Sequence, residues 1–278
     1  MSPADTEEQA QSQPHPQNQI PGVPPTDRGL TAVILAAGKG KRMKSDLPKV
    51  LHTVGGIPMA ELVIRAAREA GAARMVVVIG HRAELVRAAL GEGVAYARQE
   101  EPLGTGHATA CARAGAAGAQ TVMVLCGDTP LVTGRTLRRL AETHRREGAV
   151  ATVLTTVLSD PTGYGRIIRG EKGRVRRIVE EADATPAEKA VREINTGIYV
   201  FQAARLWEAL AEIRPNNAQG EYYLTDCIAG LVGKGFPVAA CSVEDAVEAE
   251  GVNNPDQLAR VEEIFRRRPG RDGAGAPG

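Results

Sequence analysis

Continuous apolar runs alternate with segments of helical periodicity in the first half of the chain. The runs at 31–36, 75–79, 121–126 and 149–157 are apolar almost throughout, which is typical of strands whose two faces are both covered. Between the first two runs, one helical face collects Met59, Leu62, Val63, Ala66, Ala67 and Ala70. Alternation of strands and helices predicts right-handed βαβ crossovers, so we expect an α/β fold with a mostly parallel sheet flanked by helices.

Two helix starts are marked by capping residues. Thr133 is the predicted N-cap of a helix that ends near residue 147. Asn254 is the predicted N-cap of the last helix, which has Pro255 at its first position and runs to about residue 268. The remaining predictions are a hairpin at 165–168 and 174–179, a strand at 194–201, and helices at 83–90, 203–213 and 224–231.

Both ends of the chain differ in composition from the part between them. Residues 1–28 are dominated by Gln, Pro, Ser and Asn, and residues 269–278 are mostly Gly, Ala and Pro. We expect both ends to be disordered, which leaves one folded domain at residues 29–268.

Charge and cysteine content exclude several classes of protein. The chain has 34 basic and 33 acidic residues and a net charge of +1, whereas nucleic-acid clamps and membrane-surface binders need an excess of positive charge. Cys111, Cys126, Cys227 and Cys241 form no C-x-x-C pair, which argues against structural zinc and indicates reduced thiols. Residues 1–19 lack the features of a signal peptide, and no run approaches the ~20 apolar residues of a membrane span. We therefore expect a cytoplasmic protein without nucleic-acid or membrane partners.

The strongest local motif is the glycine-rich block at 35–43 (LAAGKGKRM), followed by Pro48 and Lys49. It comes directly after the first predicted strand, at the sheet edge where open α/β sheets bind ligands. Its glycines expose backbone N–H groups that can cradle phosphate oxygens, and Arg42 and Lys49 add positive charge. A dinucleotide fingerprint would need a glycine at Met43, and no P-loop pattern occurs in the chain. The alternative interpretation is a glycine-rich turn with solvated lysines.

Asp128 follows the predicted strand at 121–126, so its carboxylate is expected at the same edge of the sheet. Mg²⁺ usually takes one or two protein oxygens and fills its other positions with water and phosphates. Asp128 is therefore the predicted magnesium ligand. The alternative is an ordinary Gly-Asp turn.

These residues carry a resemblance to a known family. The block at 35–49 resembles the G-x-G-x-R-M-x-x-x-x-P-K loop of sugar-1-phosphate nucleotidylyltransferases. Over residues 30–268 the chain is similar to the uridylyltransferase half of bacterial N-acetylglucosamine-1-phosphate uridylyltransferases, which implies a Rossmann-like fold of the nucleotide-diphospho-sugar transferase type. The further matching segments are 99–108 (QEEPLGTGHA), 127–128 (GD), 160–167 (DPTGYGRI), 193–197 (EINTG), 217–226 (NAQGEYYLTD) and 250–254 (EGVNN).

The resemblance implies an activity and a set of site residues. The implied enzyme is a UDP-N-acetylglucosamine pyrophosphorylase, which transfers UMP from UTP to N-acetylglucosamine 1-phosphate with Mg²⁺ and serves peptidoglycan precursor synthesis. Arg42 and Lys49 are the implied catalytic residues, and Asn253 joins Asp128 at the metal. Nucleotide contacts are implied in the first half of the domain and sugar contacts in the second half. The implied substrate-binding residues are Leu35, Ala36, Ala37, Gly38, Lys49, Gln99, Gly104, Thr105, Gly165, Glu180, Asn195 and Asn253.

Each implied contact also has a simpler interpretation. Gln99 can present both a donor and an acceptor to the edge of a uracil ring, but its segment also suits a loop that opens a helix near His107. Glu180 belongs to an exposed-looking acidic pair, and Asn253 precedes a helix cap. At the level of function, the alternatives are a nucleotidylyltransferase for another sugar phosphate or nucleotide, and a non-catalytic nucleotide-sugar-binding module.

The bacterial relatives continue into a left-handed β-helix that acetylates glucosamine 1-phosphate and forms trimers. Because this chain ends about ten residues after its last predicted helix, we expect no acetyltransferase activity, and the oligomeric state stays open.

Overall fold

The computed structural model describes residues 27–268, apart from the side chains of Asp27, Arg28 and Lys41. The tails predicted at 1–28 and 269–278 lie outside the described residues, except that residues 27 and 28 begin the first strand. The strands are β1 (Asp27–Leu35), β2 (Thr53–Val54), β3 (Ile57–Pro58), β4 (Ala72–Ile79), β5 (Ala95–Arg98), β6 (Thr121–Cys126), β7 (Ala151–Val157), β8 (Arg166–Arg169), β9 (Val175–Val179), β10 (Glu193–Gln202) and β11 (Val238–Ser242).

One large sheet forms the centre of the fold in the described part of the chain. Its main path runs in the order β11-β7-β10-β6-β1-β4-β5, and the β8–β9 hairpin joins it through β10. The β1–β4, β1–β6, β4–β5 and β7–β11 pairs are parallel, whereas β10 runs antiparallel to both β6 and β7. The expected mostly parallel sheet is confirmed, with one antiparallel strand inserted in its middle.

Helices cover both faces of this sheet. They are α1 (Met59–Glu69), α2 (Ala83–Leu90), α3 (Thr105–Cys111), α4 (Gly134–Arg146), α5 (Pro186–Lys189), α6 (Ala203–Glu212), α7 (Asp226–Gly233) and α8 (Pro255–Arg267). Short 3₁₀ turns occur at Lys41–Met43, Lys49–Leu51, Glu171–Gly173 and Ala246–Ala249. No helix within residues 27–268 is both long and apolar enough to cross a membrane.

The apolar runs are continuous because each strand contributes to two cores. In β1, Ala32 and Ile34 pack into the cluster on the α1 and α4 face, whereas Val33 packs into the cluster on the α6 and α7 face. Successive strand residues point to opposite faces, so a strand covered on both sides needs apolar residues at every position. A third cluster, which includes Met43 and Val252, lies under α8.

Both predicted helix caps are confirmed. The Thr133 hydroxyl accepts from the Thr136 backbone N–H at 3.2 Å, and Asn254 Oδ1 accepts from the Gln257 backbone N–H at 2.9 Å. Pro255 occupies the first turn of α8, as expected. The start of α8 is therefore fixed by local sequence.

The two edge strands were not anticipated by the sequence pattern. β5 (AYAR) and β11 (VAACS) are short and rich in alanine, and both are partly exposed. Their intrinsic strand preference is weak, and pairing with β4 and β7 determines their conformation. The short β2–β3 pair and helix α5 were also not predicted. The predicted elements differ in their boundaries, as at β7, which begins at Ala151 rather than residue 149.

A buried histidine makes the stability of this fold depend on pH. The His144 side chain on α4 is 6% exposed, and its Nδ1 lies 3.0 Å from the Thr152 hydroxyl. Burial, with a smaller effect of Arg145, lowers its pKa from 6.5 to about 4. The unfolded chain therefore binds a proton between these pH values that the folded protein does not, and stability falls as the pH falls.

We predict that the free energy of unfolding drops by up to ~3 kcal/mol more in the wild type than in His144→Gln between pH 6.5 and pH 4. Urea unfolding at a series of pH values measures this difference, and the variant corrects for every other titrating group. Parallel pH profiles for the two proteins would contradict the assignment.

Candidate active site

The loop after β1 is shaped by a close approach to Lys49. Gly40 has a left-handed φ of +59°, and a Cβ at this position would lie 2.7 Å from Lys49 Cβ. Glycine avoids both penalties, so the loop can fold back against Lys49. The loop places Gly38 on the surface, whereas Ala36 and Ala37 are buried beneath it.

Asp128 reaches the same region because β1 and β6 are parallel neighbours. Leu35, the last residue of β1, pairs with Cys126, the last residue of β6. The next residue, Gly127, donates its N–H to the Leu35 carbonyl at 3.0 Å, and a Cβ on Gly127 would lie 3.0 Å from that oxygen. The Gly-Asp turn is therefore packed directly against the start of the glycine-rich loop.

Four side chains from three distant segments meet at this edge of the sheet. Lys49 Nζ forms an ion pair with Asp128 Oδ2 and also donates to Asn253 Oδ1 at 3.0 Å. Arg42 Nη2 donates to the same Asn253 oxygen at 3.1 Å. The Lys49 and Asp128 side chains are only 16% and 19% exposed, so their charges interact in partly desolvated surroundings. The structure thus brings together Arg42, Lys49, Asp128 and Asn253.

Asp128 and Asn253 also fit a hard cation by their chemistry. A carboxylate oxygen and an amide oxygen converge on a single positive charge, the Lys49 ammonium group. Oxygen ligands of this kind suit Mg²⁺, which needs few protein ligands when phosphates supply the rest. Within residues 27–268 no group of three or more His, Cys, Asp and Glu side chains is arranged to hold a metal. A metal at this edge would therefore depend on few protein ligands.

Gln99, Gly104 and Thr105 also lie together, but part of their hydrogen-bonding capacity is used within the protein. Gln99 is 6% exposed, and its Nε2 donates to the Gly104 carbonyl at 3.1 Å and lies 3.1 Å from His107 Nδ1. The Thr105 hydroxyl accepts from the Leu224 backbone N–H at 3.0 Å. The loop is thus braced by internal bonds, and the amide nitrogen of Gln99 is already engaged.

A second group gathers the residues expected on the sugar side. Asn195 donates its backbone N–H to the Gly165 carbonyl at 2.8 Å, and a Cβ on Gly165 would lie 3.2 Å from Glu180 Oε2. Glu180 Oε1 accepts from the Thr225 hydroxyl at 3.1 Å. Burial, followed by the nearby Asp226 and Asp183, raises the pKa of Glu180, while the Thr225 bond opposes this shift. Gly165, Glu180 and Asn195 are therefore adjacent.

Cys126 lies between this second group and the sheet edge that carries Lys49 and Asp128. Its thiol donates to the Gly197 carbonyl at 3.4 Å, and the left-handed Gly197 would bring any Cβ within 2.7 Å of the sulfur. Burial raises the pKa of Cys126 to about 12, so the thiol is neutral at physiological pH. Cys126 is a packing element between the two halves of the site.

Comparison with known proteins shows the family of this chain. Residues 32–225 match the model of the MobA-like NTP transferase domain. The chain belongs to the MobA-like NTP transferase family. The bifunctional protein GlmU of Pelotomaculum thermopropionicum is 55% identical over 241 residues, which cover 86% of this chain and 52% of that protein. GlmU of Pelobacter propionicus is 52% identical over 246 residues, covering 87% of this chain and 54% of that protein. The chain thus spans about half the length of these relatives.

Solved structures agree on the fold of this NTP transferase domain. A UDP-glucose pyrophosphorylase complexed with UDP-glucose superimposes with a TM-score of 0.69 at 18% identity, covering 85% of this chain and 98% of that one. The predicted α/β fold with a mostly parallel sheet is therefore confirmed.

Two residues next to the loop that carries Asn253 were not among the predicted site residues. Tyr164 and Gln257 both contact the loop that carries Asn253. Gln257 has a sequence signal that could have found it, because a Gln three residues after an Asn cap is typical of a capping box. Tyr164 lies in the 160–167 segment that carries the family resemblance, but only the tertiary fold brings it to this loop.

We predict that Gly40→Ala weakens nucleoside triphosphate binding by at least ~10-fold, or ~1.4 kcal/mol, because the new methyl group displaces Lys49. Gly148→Ala is the matched control, since Gly148 has a φ of +57° but faces open space. Both variants should lose about 1 kcal/mol or more of stability from the left-handed backbone. Isothermal titration with each of the four nucleoside triphosphates measures the difference, and equal affinities in the two variants would exclude a role for this contact.

Proposed function

We propose that this chain transfers UMP from UTP to N-acetylglucosamine 1-phosphate, which yields UDP-N-acetylglucosamine and pyrophosphate. The observation that carries the proposal is the convergence of Arg42, Lys49, Asp128 and Asn253 at one point of the sheet edge. Membership of an NTP transferase family supports a nucleoside triphosphate donor. The identity of 55% to a bifunctional protein GlmU supports the uridine and N-acetylglucosamine assignment that the sequence resemblance implies.

The reaction is an in-line displacement at the α-phosphorus of UTP. A phosphate oxygen of N-acetylglucosamine 1-phosphate forms the new P–O bond, the bond to the β-phosphate breaks, and its electron pair leaves with pyrophosphate. The nucleophile is already anionic, so no side chain has to remove a proton. What the protein must supply is alignment of two polyanions and stabilisation of their charge.

The basic side chains match this requirement in different ways. Arg42 presents a planar fork of donors, which suits the several oxygens of the departing pyrophosphate. Lys49 is a point charge on a flexible stem and suits the sugar-side phosphate. The Arg42 and Lys49 side chains both donate to Asn253 Oδ1 in the structure. A short movement of either side chain would replace this hydrogen bond with one to a phosphate oxygen.

Asp128 and Asn253 would hold the metal ion, which we propose to be Mg²⁺. When bound, Mg²⁺ screens the phosphate charges and polarises the reacting phosphoryl group. Around it, Gln99, Gly104 and Thr105 would contact uridine. On the other side, Gly165, Glu180 and Asn195 would contact the N-acetylhexosamine. The backbone at Leu35, Ala36, Ala37 and Gly38, together with the Lys49 side chain, would complete the substrate contacts.

We propose that this nucleotidyl transfer takes place in the cytoplasm. The single domain at residues 29–268 stays a prediction.

We predict that Asp128→Asn and Arg42→Ala each lower kcat at least ~100-fold, which corresponds to ~2.7 kcal/mol of transition-state stabilisation. A coupled assay of pyrophosphate release measures the effect. Arg65→Ala is the control, because Arg65 is 47% exposed and pairs with Glu61 on its own helix. Near-normal turnover in either site variant would remove that residue from the mechanism.

We predict that, among pairs of the four nucleoside triphosphates with several sugar 1-phosphates, UTP with N-acetylglucosamine 1-phosphate gives the highest kcat/KM. The expected advantage over every other pair is at least ~10-fold, since the base and acetamide contacts are polar and partly buried. A faster reaction with another pair would replace the substrate assignment. Binding of both ligands without pyrophosphate release in Mg²⁺ would instead establish the non-catalytic module.

A further inference from the structure

The loop that carries Asn253 is anchored on both sides of this residue by strong contacts. Val252 is fully buried under α8, and its N–H donates to the Asp128 carbonyl at 2.9 Å. Asn254 caps α8 through its side chain. The backbone of Gly251, one residue before Val252, lies next to the Tyr164 hydroxyl. The orientation of Asn253 between these anchors depends on what holds its own peptide group.

Gln257 is the residue that holds this peptide group. Its side-chain Oε1 accepts the Asn253 backbone N–H at 2.8 Å, while its own backbone N–H donates to Asn254 Oδ1. In an ordinary capping box the side chain at this position returns to the N–H of the cap residue itself. Here the bond is displaced by one residue, from Asn254 to Asn253, the residue whose amide oxygen meets Lys49 and Arg42.

A cavity lies beside the side chains that support the loop carrying Asn253. Gln257, Tyr164 and Glu250 line this cavity, which has a volume of about 220 Å³. The Gln257 side chain therefore bonds to the loop from the wall of this cavity, and a rotation of the 252–253 peptide would move the Asn253 side chain away from Asp128. A hydrogen bond to the backbone N–H opposes that rotation.

We propose that Gln257 is a positioning residue, which orients Asn253 so that its amide oxygen and the Asp128 carboxylate face the same cation. The inference rests on the proposed function, in which Asp128 and Asn253 hold a divalent metal. Gln257 itself contacts neither metal nor substrate in this assignment. It acts on the backbone of a metal ligand, and loss of such an outer partner typically weakens metal binding 10- to 100-fold.

The test is a titration of the full chain with Mn²⁺ in saturating UDP-N-acetylglucosamine, followed by the electron paramagnetic resonance signal of free Mn²⁺. We expect Gln257→Ala and Gln257→Leu to raise the Mn²⁺ dissociation constant at least ~10-fold. Gln257→Glu retains the acceptor oxygen and should stay within ~3-fold of the wild type. In steady-state assays, the first two variants should raise the apparent KM for Mg²⁺ more than they lower kcat at saturating Mg²⁺.

Two further variants decide between the possible causes. Asn254→Ala removes the other half of the cap and destabilises α8, but leaves the bond from Asn253 to Gln257 available. If Gln257→Ala weakens Mn²⁺ binding no more than Asn254→Ala does, fraying of α8 explains the loss and the inference is overturned. Asn253→Ala is the reference for the metal site.

The reference variant also separates the two proposals. Unchanged Mn²⁺ affinity in Asn253→Ala would remove Asn253 from the metal site and would overturn the role of Gln257 with it. Weakened binding in Asn253→Ala, combined with wild-type affinity in Gln257→Ala and Gln257→Leu, would overturn the positioning role alone.

Discussion

The structure of the site depends on the parallel pairing of β1 with β6. Their last residues, Leu35 and Cys126, are paired, so the chain leaves both strands at the same height and on the same edge. The glycine-rich loop and the Gly127-Asp128 turn are consequently neighbours although about 90 residues separate them in sequence. The bond from Gly127 to the Leu35 carbonyl joins the two connections directly, with no room for a side chain between them. Open parallel sheets bind their ligands at this edge, and here two adjacent strands lead into a glycine-rich loop and an acidic turn.

Charge is concentrated at this edge in a chain whose overall charge nearly cancels. Lys49 and Arg42 share the Asn253 oxygen, and Lys49 also pairs with Asp128, so the partly buried charges of Lys49 and Asp128 neutralise each other. Burying an ion without a partner would cost several kcal/mol, and the internal pairing avoids that penalty. The same groups are the ones that two phosphate-bearing substrates would engage. Under the proposed function, the same small set of side chains would serve both the stability of the site and the recognition of polyanions.

Some elements could be predicted closely and others could not, for identifiable physical reasons. The strands β1, β4 and β6 are covered on both faces, so their apolar runs stand out from the polar surroundings. The caps Thr133 and Asn254 act within a few residues, so local sequence determines them. The edge strands β5 and β11 lack such signals, because pairing with a neighbour decides their conformation. At the site, the residue types of Arg42, Lys49 and Asp128 indicated phosphate chemistry, whereas Asn253 was connected with them only by family resemblance.

The sequence by itself determined the α/β class, the glycine-rich loop after the first strand and the likeness to a nucleotidylyltransferase family, since each rests on short patterns of residue type and spacing. Only the tertiary structure decided which side chains meet and how they are held. The donor of Gln99 is used inside the protein, Cys126 packs between the two halves of the site, and Gln257 bonds to Asn253 rather than to the cap. The bonds of Gln99 and Gln257 span only five and four residues and depend on loop conformations that the fold imposes. The Cys126 contact spans 71 residues, and local periodicity carries no information about distances between such remote segments. The packed sheet sets them, because strand pairing fixes the relative height at which each loop begins.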